Sequence, residues 1–286
     1  MRTGETGGLP GDLALLINLP SATDRLAFQE RQLREMAIPF RLLPATAVAD
    51  VPAARMEQLR ASWARPLRAT EVCCTLSHCR AWEEVVASGR PRVVLEDDAI
   101  LSLGAAGLLA ALLARDDLDY VQLETYALPK LLSRESAPVG GTPFRLSRLV
   151  RDKGGSAAYL IWPRAAAMLL ESTKDRTPLA DAAIDMVQGF RHHQVEPAMA
   201  VQAMFLARSE PPFAAVGPSL IAATPVPDYP GWPAWLRHKS RRLAMSLQLL
   251  WRRLRAPDAE RRRVDHPPDL YDPLRDPQTR GHGASP

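Results

Sequence analysis

The chain has only three cysteines in 286 residues, and all of them, Cys73, Cys74 and Cys79, lie in one short stretch around His78. Thiols so close together and odd in number cannot build a disulfide framework, and they favour a reducing, cytoplasmic compartment. Cys74 and His78 stand at i and i+4 and could share a helix face, but no further ligand pair accompanies them. Small buried thiols on a core helix are therefore the simpler reading. Aromatic residues are scarce, at 6%. Without basic patches interleaved with stacking rings, nucleic acid is not an expected partner. Long apolar runs are missing too: the stretch from Ala99 to Ala114 is interrupted by Ser102 and Gly104 and is shorter than a bilayer span. The first eleven residues are Gly-rich and polar, unlike a secretory signal. Charge of one sign is nearly absent as well, since 36 Lys and Arg stand against 32 Asp and Glu, for a formal +4. The arginines are nevertheless concentrated after residue 236, and this asymmetry says more than the total.

What is present is a large hydrophobic complement, 47% of the residues, ample for a buried core. Leu13 to Leu19 reads as a buried strand, Thr23 to Met36 as a helix and Ile38 to Leu43 as a second strand, an order that signals a parallel α/β sheet. Thr70, with Glu71 in the first turn, reads as the N-cap of a helix running to Ser88 and ending at Gly89. Further strands are expected at Leu118 to Glu124 and Gly154 to Trp162, with a helix at Arg164 to Ser172.

The most informative segment is Glu96-Asp97-Asp98, three acidic residues that end the apolar run Val93-Val94-Leu95. Adjacent carboxylates at the end of a buried strand repel one another unless a cation sits among them, and α/β sheets place ligands at the carboxyl ends of their strands. Hard oxygen ligands there suit Mg²⁺ or Mn²⁺, most often bridging a diphosphate.

Taken in order, the segments resemble glycosyltransferase family 25, the lipopolysaccharide and lipooligosaccharide glycosyltransferases. The resemblance rests on Ile17-Asn18-Leu19 followed by Ser21-Ala22-Thr23-Asp24-Arg25, on Glu71, Cys74, Leu76, Ser77, His78 and Trp82 in register on one helix, and on Leu95-Glu96-Asp97-Asp98. Later blocks match at Gly155, Tyr159, Leu160 and Ile161, at Ile184-Asp185, and from Pro197 to Gln202. Thr70 and Cys73 stand where the family usually has glycine, and Ala157 where it often has histidine.

The resemblance implies an α/β, GT-A-like single nucleotide-binding domain with a mostly parallel central sheet, plus a C-terminal helical or irregular extension. It implies an inverting, metal-dependent transfer of a hexose, most often galactose, from a UDP-sugar to a glycan or glycolipid acceptor. In that scheme Asp97 and Asp98 hold Mn²⁺ or Mg²⁺ with Glu96 beside them. Asn18, Leu19, Arg25, Ser77 and His78 border the donor. A general base away from the metal is expected at Asp185, with Asp181 and Glu124 as alternatives. A sugar nucleotidyltransferase would also want metal and carboxylates, but normally carries a Gly-rich basic loop after its first strand, and Pro20-Ser21-Ala22-Thr23 supplies none. A non-catalytic membrane-associated protein on a decayed transferase fold is the other alternative, and the intact acidic triplet argues against it.

The layout expected from the sequence is a flexible start (1–11), a catalytic domain (12–210), a Pro-rich connector (211–234), a basic amphipathic helix (235–256) and a disordered tail (257–286). Trp235, Leu236, Leu243, Leu247, Leu250, Trp251 and Leu254 fall mostly on one face of that helix. Its arginines and lysine are unaccompanied by any acidic residue. Such a segment, at 235–255, suits an anionic membrane surface and would place the protein peripherally at the inner face of the membrane.

Overall fold

The computed structural model describes residues 9–126, 128–152, 154–174, 176–206, 216, 231–266 and 268–274. Strand β1 (Ala14–Asn18) is buried at every position, with Leu16 facing one side of the sheet and Leu15 and Ile17 the other. Helix α1 (Thr23–Glu35) then returns the chain to β2 (Phe40–Pro44), which lies parallel to β1. After a short 3-10 turn (Val48–Asp50) and α2 (Ala53–Arg60), the long helix α3 (Ala69–Ser88) leads into β3 (Arg92–Glu96), parallel to β1 on its other side. Gly89 closes α3 with φ 62°, a conformation that only glycine adopts without strain. The cap at the other end differs from expectation. Arg68 is the N-cap, and its backbone N–H donates to the Glu71 carboxylate at 2.9 Å, so the helix begins before Thr70.

Beyond β3 follow β4 (Ala99–Leu101), α4 (Ala105–Leu113), β5 (Tyr120–Gln122), β6 (Glu124–Thr125), β7 (Lys130–Pro138), β8 (Arg145–Arg151) and β9 (Ala158–Ile161). Then come α5 (Pro163–Thr173), α6 (Ala180–Met186), β10 (His192–Glu196), β11 (Ala200–Gln202), α7 (Ala203–Leu206), α8 (Trp232–Leu254) and β12 (Ala259–Arg262). The main sheet has nine strands in the order β12-β7-β8-β10-β5-β9-β3-β1-β2, and β4, β11 and β6 form a second sheet. The main sheet is mixed: β2, β1 and β3 run parallel, as do β5 and β10, while β9 lies antiparallel between β3 and β5. The expected strand from Leu118 to Glu124 divides at Leu123, so that Glu124 belongs to the second sheet. The expected Gly154 strand starts only at Ala158.

One core lies under α1 and α4, with Leu33, Leu108 and Leu112 fully buried. The other lies under α3 and α5, centred on Trp82, Val85, Tyr159 and Leu169. The resulting α/β/α layering is a GT-A-like domain with a C-terminal helix. Most of the Pro-rich connector expected at 211–234 lies outside the described residues. The expectation of disorder after residue 257 is corrected for 257–266 and 268–274. There β12 pairs antiparallel with β7, Leu270 bridges to Ser102, and Tyr271 is fully buried with its ring 5.7 Å from that of Phe28.

Candidate active site

The carboxyl ends of β1 and β3 lie side by side, because the two strands are parallel neighbours with Ile17 opposite Glu96. Asn18 ends one and Glu96 ends the other. The turn that follows, Asp97-Asp98, redirects the chain into β4 and the second sheet. Two cavities flank this turn. The first, about 320 Å³, is lined by Asn18, Leu19, Arg25, Thr46, Ser77 and His78 together with Glu96, Asp97 and Asp98. The second, about 330 Å³, is bordered by Arg68, Tyr126, Gly154 to Ser156, Asp181 and Gln202. Cys74, Glu96 and Asp98 line both. The acidic turn is thus the partition between two chambers.

The three carboxylates have different surroundings. Asp97 is held on both oxygens: Arg25 Nη1 donates to Oδ1 at 2.8 Å and Asn18 Nδ2 to Oδ2 at 2.9 Å. Burial still pushes its carboxyl upward, against these two donors. Glu96 is also opposed by burial. The hydrogen bonds from His78 at 3.1 Å and Ser156 at 2.7 Å outweigh it and hold the Glu96 carboxyl below its ordinary range. Asp98 has less help, only its own backbone N–H and the more distant charge of Arg25. Burial, then the negative charges of Glu96 and Asp97, push it up to about 7, and its buried Oδ1 has no hydrogen-bond partner. An orphaned carboxylate oxygen beside two other acids is an arrangement that a divalent cation would satisfy. The donor set fits the expected metal. Asp98, with Glu96 beside it, could hold such an ion, whereas both oxygens of Asp97, expected to be a ligand, already accept hydrogen bonds from Arg25 and Asn18. Arg25, expected at the border of the donor, makes an ion pair with Asp97 at 2.8 Å.

The motif residues on α3 build the support for Glu96. Trp82 Nε1–H donates to the Tyr159 hydroxyl at 2.9 Å, and that hydroxyl lies 2.9 Å from His78 Nδ1. An indole N–H can only donate, so the tyrosine accepts there and its own proton is free to go to Nδ1. In that arrangement the Nε2–H of His78 donates to the Glu96 carboxylate, which can only accept while ionised. Trp82 and Tyr159 were visible as motif positions, but their spatial connection through β9 is a tertiary fact that spacing does not carry. Ser77, in contrast, is a structural tie: its hydroxyl donates to Cys73 O and accepts the Thr46 N–H, both at 2.8 Å. Asn18 spends its amide hydrogens on Asp97 and on Ala22 O, so only its oxygen remains for a ligand.

The candidate bases separate clearly. Asp181 opens onto the second cavity, facing the Glu96 and Asp98 partition, and burial raises its carboxyl to about 6 with the charges of Asp152 and Asp185 adding to the effect. Asp185, one turn later on α6, points elsewhere. Its Oδ1 accepts the Asp152 N–H at 2.9 Å and lies 3.4 Å from Arg252 of α8. Burial raises it to about 6 even against that arginine. Glu124 is fully buried beneath Gly155. Its oxygens accept the Ala157 N–H and the Gln202 amide, and burial pushes it up to about 8. Gly155 has φ 105°, and any Cβ there would meet Glu124 Oε1 at 2.7 Å, so this glycine permits the close cover over the acid. Of the three acids expected as base, with Asp185 first, Asp181 is the one that lines a chamber shared with Glu96 and Asp98.

Cys74, read from the sequence as a core thiol, has its sulfur in a cluster with His78 and Glu96 within 4.8 Å of one another. A residue that sequence reasoning did not single out is Lys130, buried with its ammonium 2.7 Å from Asp152 and 3.0 Å from Glu124 O. Lysine at the start of an unrecognised strand gives no local signal of burial.

The fold thus sets a two-chambered cleft, divided by clustered acids, at the ends of central α/β strands, where such sheets bind their ligands. The chain belongs to glycosyltransferase family 25 (LPS biosynthesis protein), whose sequence profile matches residues 13–187. It is 28% identical over 214 residues to the lacto-N-neotetraose biosynthesis glycosyltransferase LgtE of Neisseria gonorrhoeae, covering 68% of this chain and 75% of that one. To LgtB of the same organism, named for the same biosynthesis, it is 29% identical over 224 residues, covering 71% and 78%. No helix among the described residues is long and apolar enough to cross a membrane.

Proposed function

We propose that the chain is an inverting, metal-dependent transferase that moves a hexose from a UDP-sugar to a glycan acceptor of the lipopolysaccharide type. Galactose is the hexose that the motif resemblance favours. The observation that supports this reading best is the partition itself: one charge-crowded carboxylate, Asp98, whose Oδ1 lacks a hydrogen-bond partner, borders both chambers. The first chamber would take the nucleotide, with Leu19 and the Asn18 oxygen at its wall. The second would take the acceptor. Asp98 and Glu96 would hold Mn²⁺ or Mg²⁺, which supplies Lewis-acid stabilisation of the diphosphate leaving group. His78 keeps Glu96 ionised and oriented for that task. Asp181 would remove the proton from the acceptor hydroxyl as it attacks the anomeric carbon, and its raised pKa gives it more basicity than an ordinary aspartate while leaving it ionised at neutral pH. A lipid-linked acceptor also places the enzyme at a membrane surface, with 235–255 as the segment that meets anionic lipid.

The test is to incubate the purified protein with a panel of UDP-sugars and Mn²⁺, following UDP release without acceptor and then with lactose- or glucose-terminated glycans. UDP release from one donor that chelation abolishes supports the reading. Equal release with chelator present, or none from any UDP-sugar, overturns it.

A further inference from the structure

Helix α8 is attached the wrong way round for an ordinary amphipathic helix. Such a helix lays its apolar stripe on the core and turns its polar side to water. Here the polar residues face the domain. His238, Arg241, Gln248 and Arg252 recur at spacings of three, seven and four, so they form one stripe along the helix. His238 is 2% exposed and its Nδ1 meets Trp63 O; Arg241 donates to Ala61 O at 2.9 Å and Trp63 O at 3.1 Å; Gln248 donates to Met186 O at 2.9 Å. Arg252 donates to Asp185 O and Val150 O. The opposite side carries Trp232, Trp235, Leu243, Leu247, Trp251 and Leu254, exposed by 46% to 74%. A row of large apolar side chains of this length is not left in water on a stable monomer without a reason.

We infer that the outward face of α8 seats in the interfacial layer of an anionic lipid bilayer, while its inward polar stripe carries the catalytic domain. The inference rests on the membrane partner proposed above and specifies the face. Charge complementarity selects lipid over a second copy of the chain. Outside the docking stripe the helix carries Arg237, Lys239, Arg242 and Arg253 and no Asp or Glu, so two such faces brought together would repel, whereas a negatively charged surface attracts them. The aromatic placement agrees. Lys239 lies over the Trp235 ring at 5.4 Å and Arg255 over Trp251 at 4.6 Å, which sets cation and ring side by side at both ends of the face, as a headgroup layer requires. The domain side of α8 also leaves the apolar face undisturbed: the docking bonds go to backbone carbonyls, so the helix does not need its leucines to stay in place.

The full chain, its Leu243→Gln/Leu247→Gln variant and an Arg242→Gln/Arg253→Gln variant are compared on vesicles of phosphatidylglycerol in phosphatidylcholine and of phosphatidylcholine alone. Expected is binding to the anionic vesicles with a blue shift of tryptophan emission, weakening as salt is raised. The leucine variant should partition roughly a hundred-fold less, about ten-fold per leucine withdrawn from the lipid. The arginine variant should lose the preference for anionic over neutral vesicles. Each protein is also tested for UDP release, which the leucine variant should retain. Vesicle binding without UDP chemistry in the wild-type chain overturns the transferase reading and leaves this inference standing. The inference is overturned by any of three results: no vesicle binding, equal binding by the leucine variant, or a wild-type dimer in sedimentation equilibrium that the leucine variant dissociates.

Discussion

Replacing Asp98 by asparagine should make the metal-free protein more stable while destroying its activity. The carboxyl of Asp98 stands at about 7, against an ordinary 3.8. A folded-state pKa above the unfolded one means that the fold prefers the protonated acid, so stability is full below about pH 4 and is lost as pH rises through about 7. At about 1.4 kcal/mol per pH unit, the loss is roughly 1–2 kcal/mol by pH 5 and roughly 4 kcal/mol at pH 8. Asparagine cannot ionise and escapes this loss. The stability difference in favour of Asp98→Asn should therefore widen by roughly 2–3 kcal/mol between pH 5 and pH 8, with denatured-state compaction trimming the figure. The assay is a denaturant melt of both proteins at the two pH values in chelator, repeated in millimolar Mn²⁺. Metal binds the ionised carboxylates only, so it should stabilise the wild-type chain, by about 2.7 kcal/mol at a hundred-fold excess over its dissociation constant, and hardly move the variant. An Asp98→Asn protein less stable than wild type at pH 8 in chelator would refute the reasoning. So would equal stabilisation of both by Mn²⁺.

Asp181→Asn should lower the transfer rate by about two to four orders of magnitude with little change in donor affinity, and the wild-type rate should fall as pH drops below about 6, where Asp181 takes up its proton. Asp185→Asn, by contrast, should leave the rate within a few-fold, because an asparagine oxygen can still accept the Asp152 N–H; a collapse in rate there with Asp181→Asn active would return the base to Asp185. Tyr159→Phe should cost about 1–3 kcal/mol in a urea melt by orphaning the buried Trp82 N–H, and should raise the Mn²⁺ concentration needed for half-maximal activity, since His78 loses the partner that fixes its proton on the Glu96 side. Arg252→Ala should loosen α8 from α6, detectable as faster hydrogen exchange at both helices, whereas unchanged exchange would show that the Asp185 contact carries no docking energy.

The first half of the fold was legible because each of its elements carries its own local pattern. Leu13 to Leu19 is a buried run, Gly89 stops α3, and Glu96 to Asp98 ends β3 in charge. The second half was not, for reasons that are tertiary. Residues 130–138 and 145–151 form β7 and β8 with polar and charged side chains at every second or third place, because β7 borders β12 and only part of each strand meets a core. The tail was read as disordered from its composition, yet Tyr271 and the β12 pairing give it an anchor that no composition shows. The acidic turn and the residues around it, grouped from the sequence, do line one cavity. Their individual settings were not legible, since adjacent aspartates give no sign that Arg25 and Asn18 bond to Asp97 and not to Asp98.

The setting of Asp185 and the inverted helix have one cause. Asp185 looked catalytic because an acid between Ile184 and Met186 is out of place on a solvated surface. It is out of place because α8 covers it: Arg252 reaches from the docking stripe to Asp185 and to its backbone oxygen, and Gln248 takes the next carbonyl, Met186 O. These bonds satisfy the last carbonyls of α6, which otherwise lack partners. The same short helix presents Asp181 to the cleft from its first turn. An acid at one end of α6 thus faces the second cavity, and an acid at the other end fastens the helix that faces outward with its tryptophans. A chain read in one dimension sees two aspartates four residues apart in an apolar setting. Only the packing of α8, which uses its arginines inward and its leucines outward, separates the group that can move a proton from the group that holds the frame.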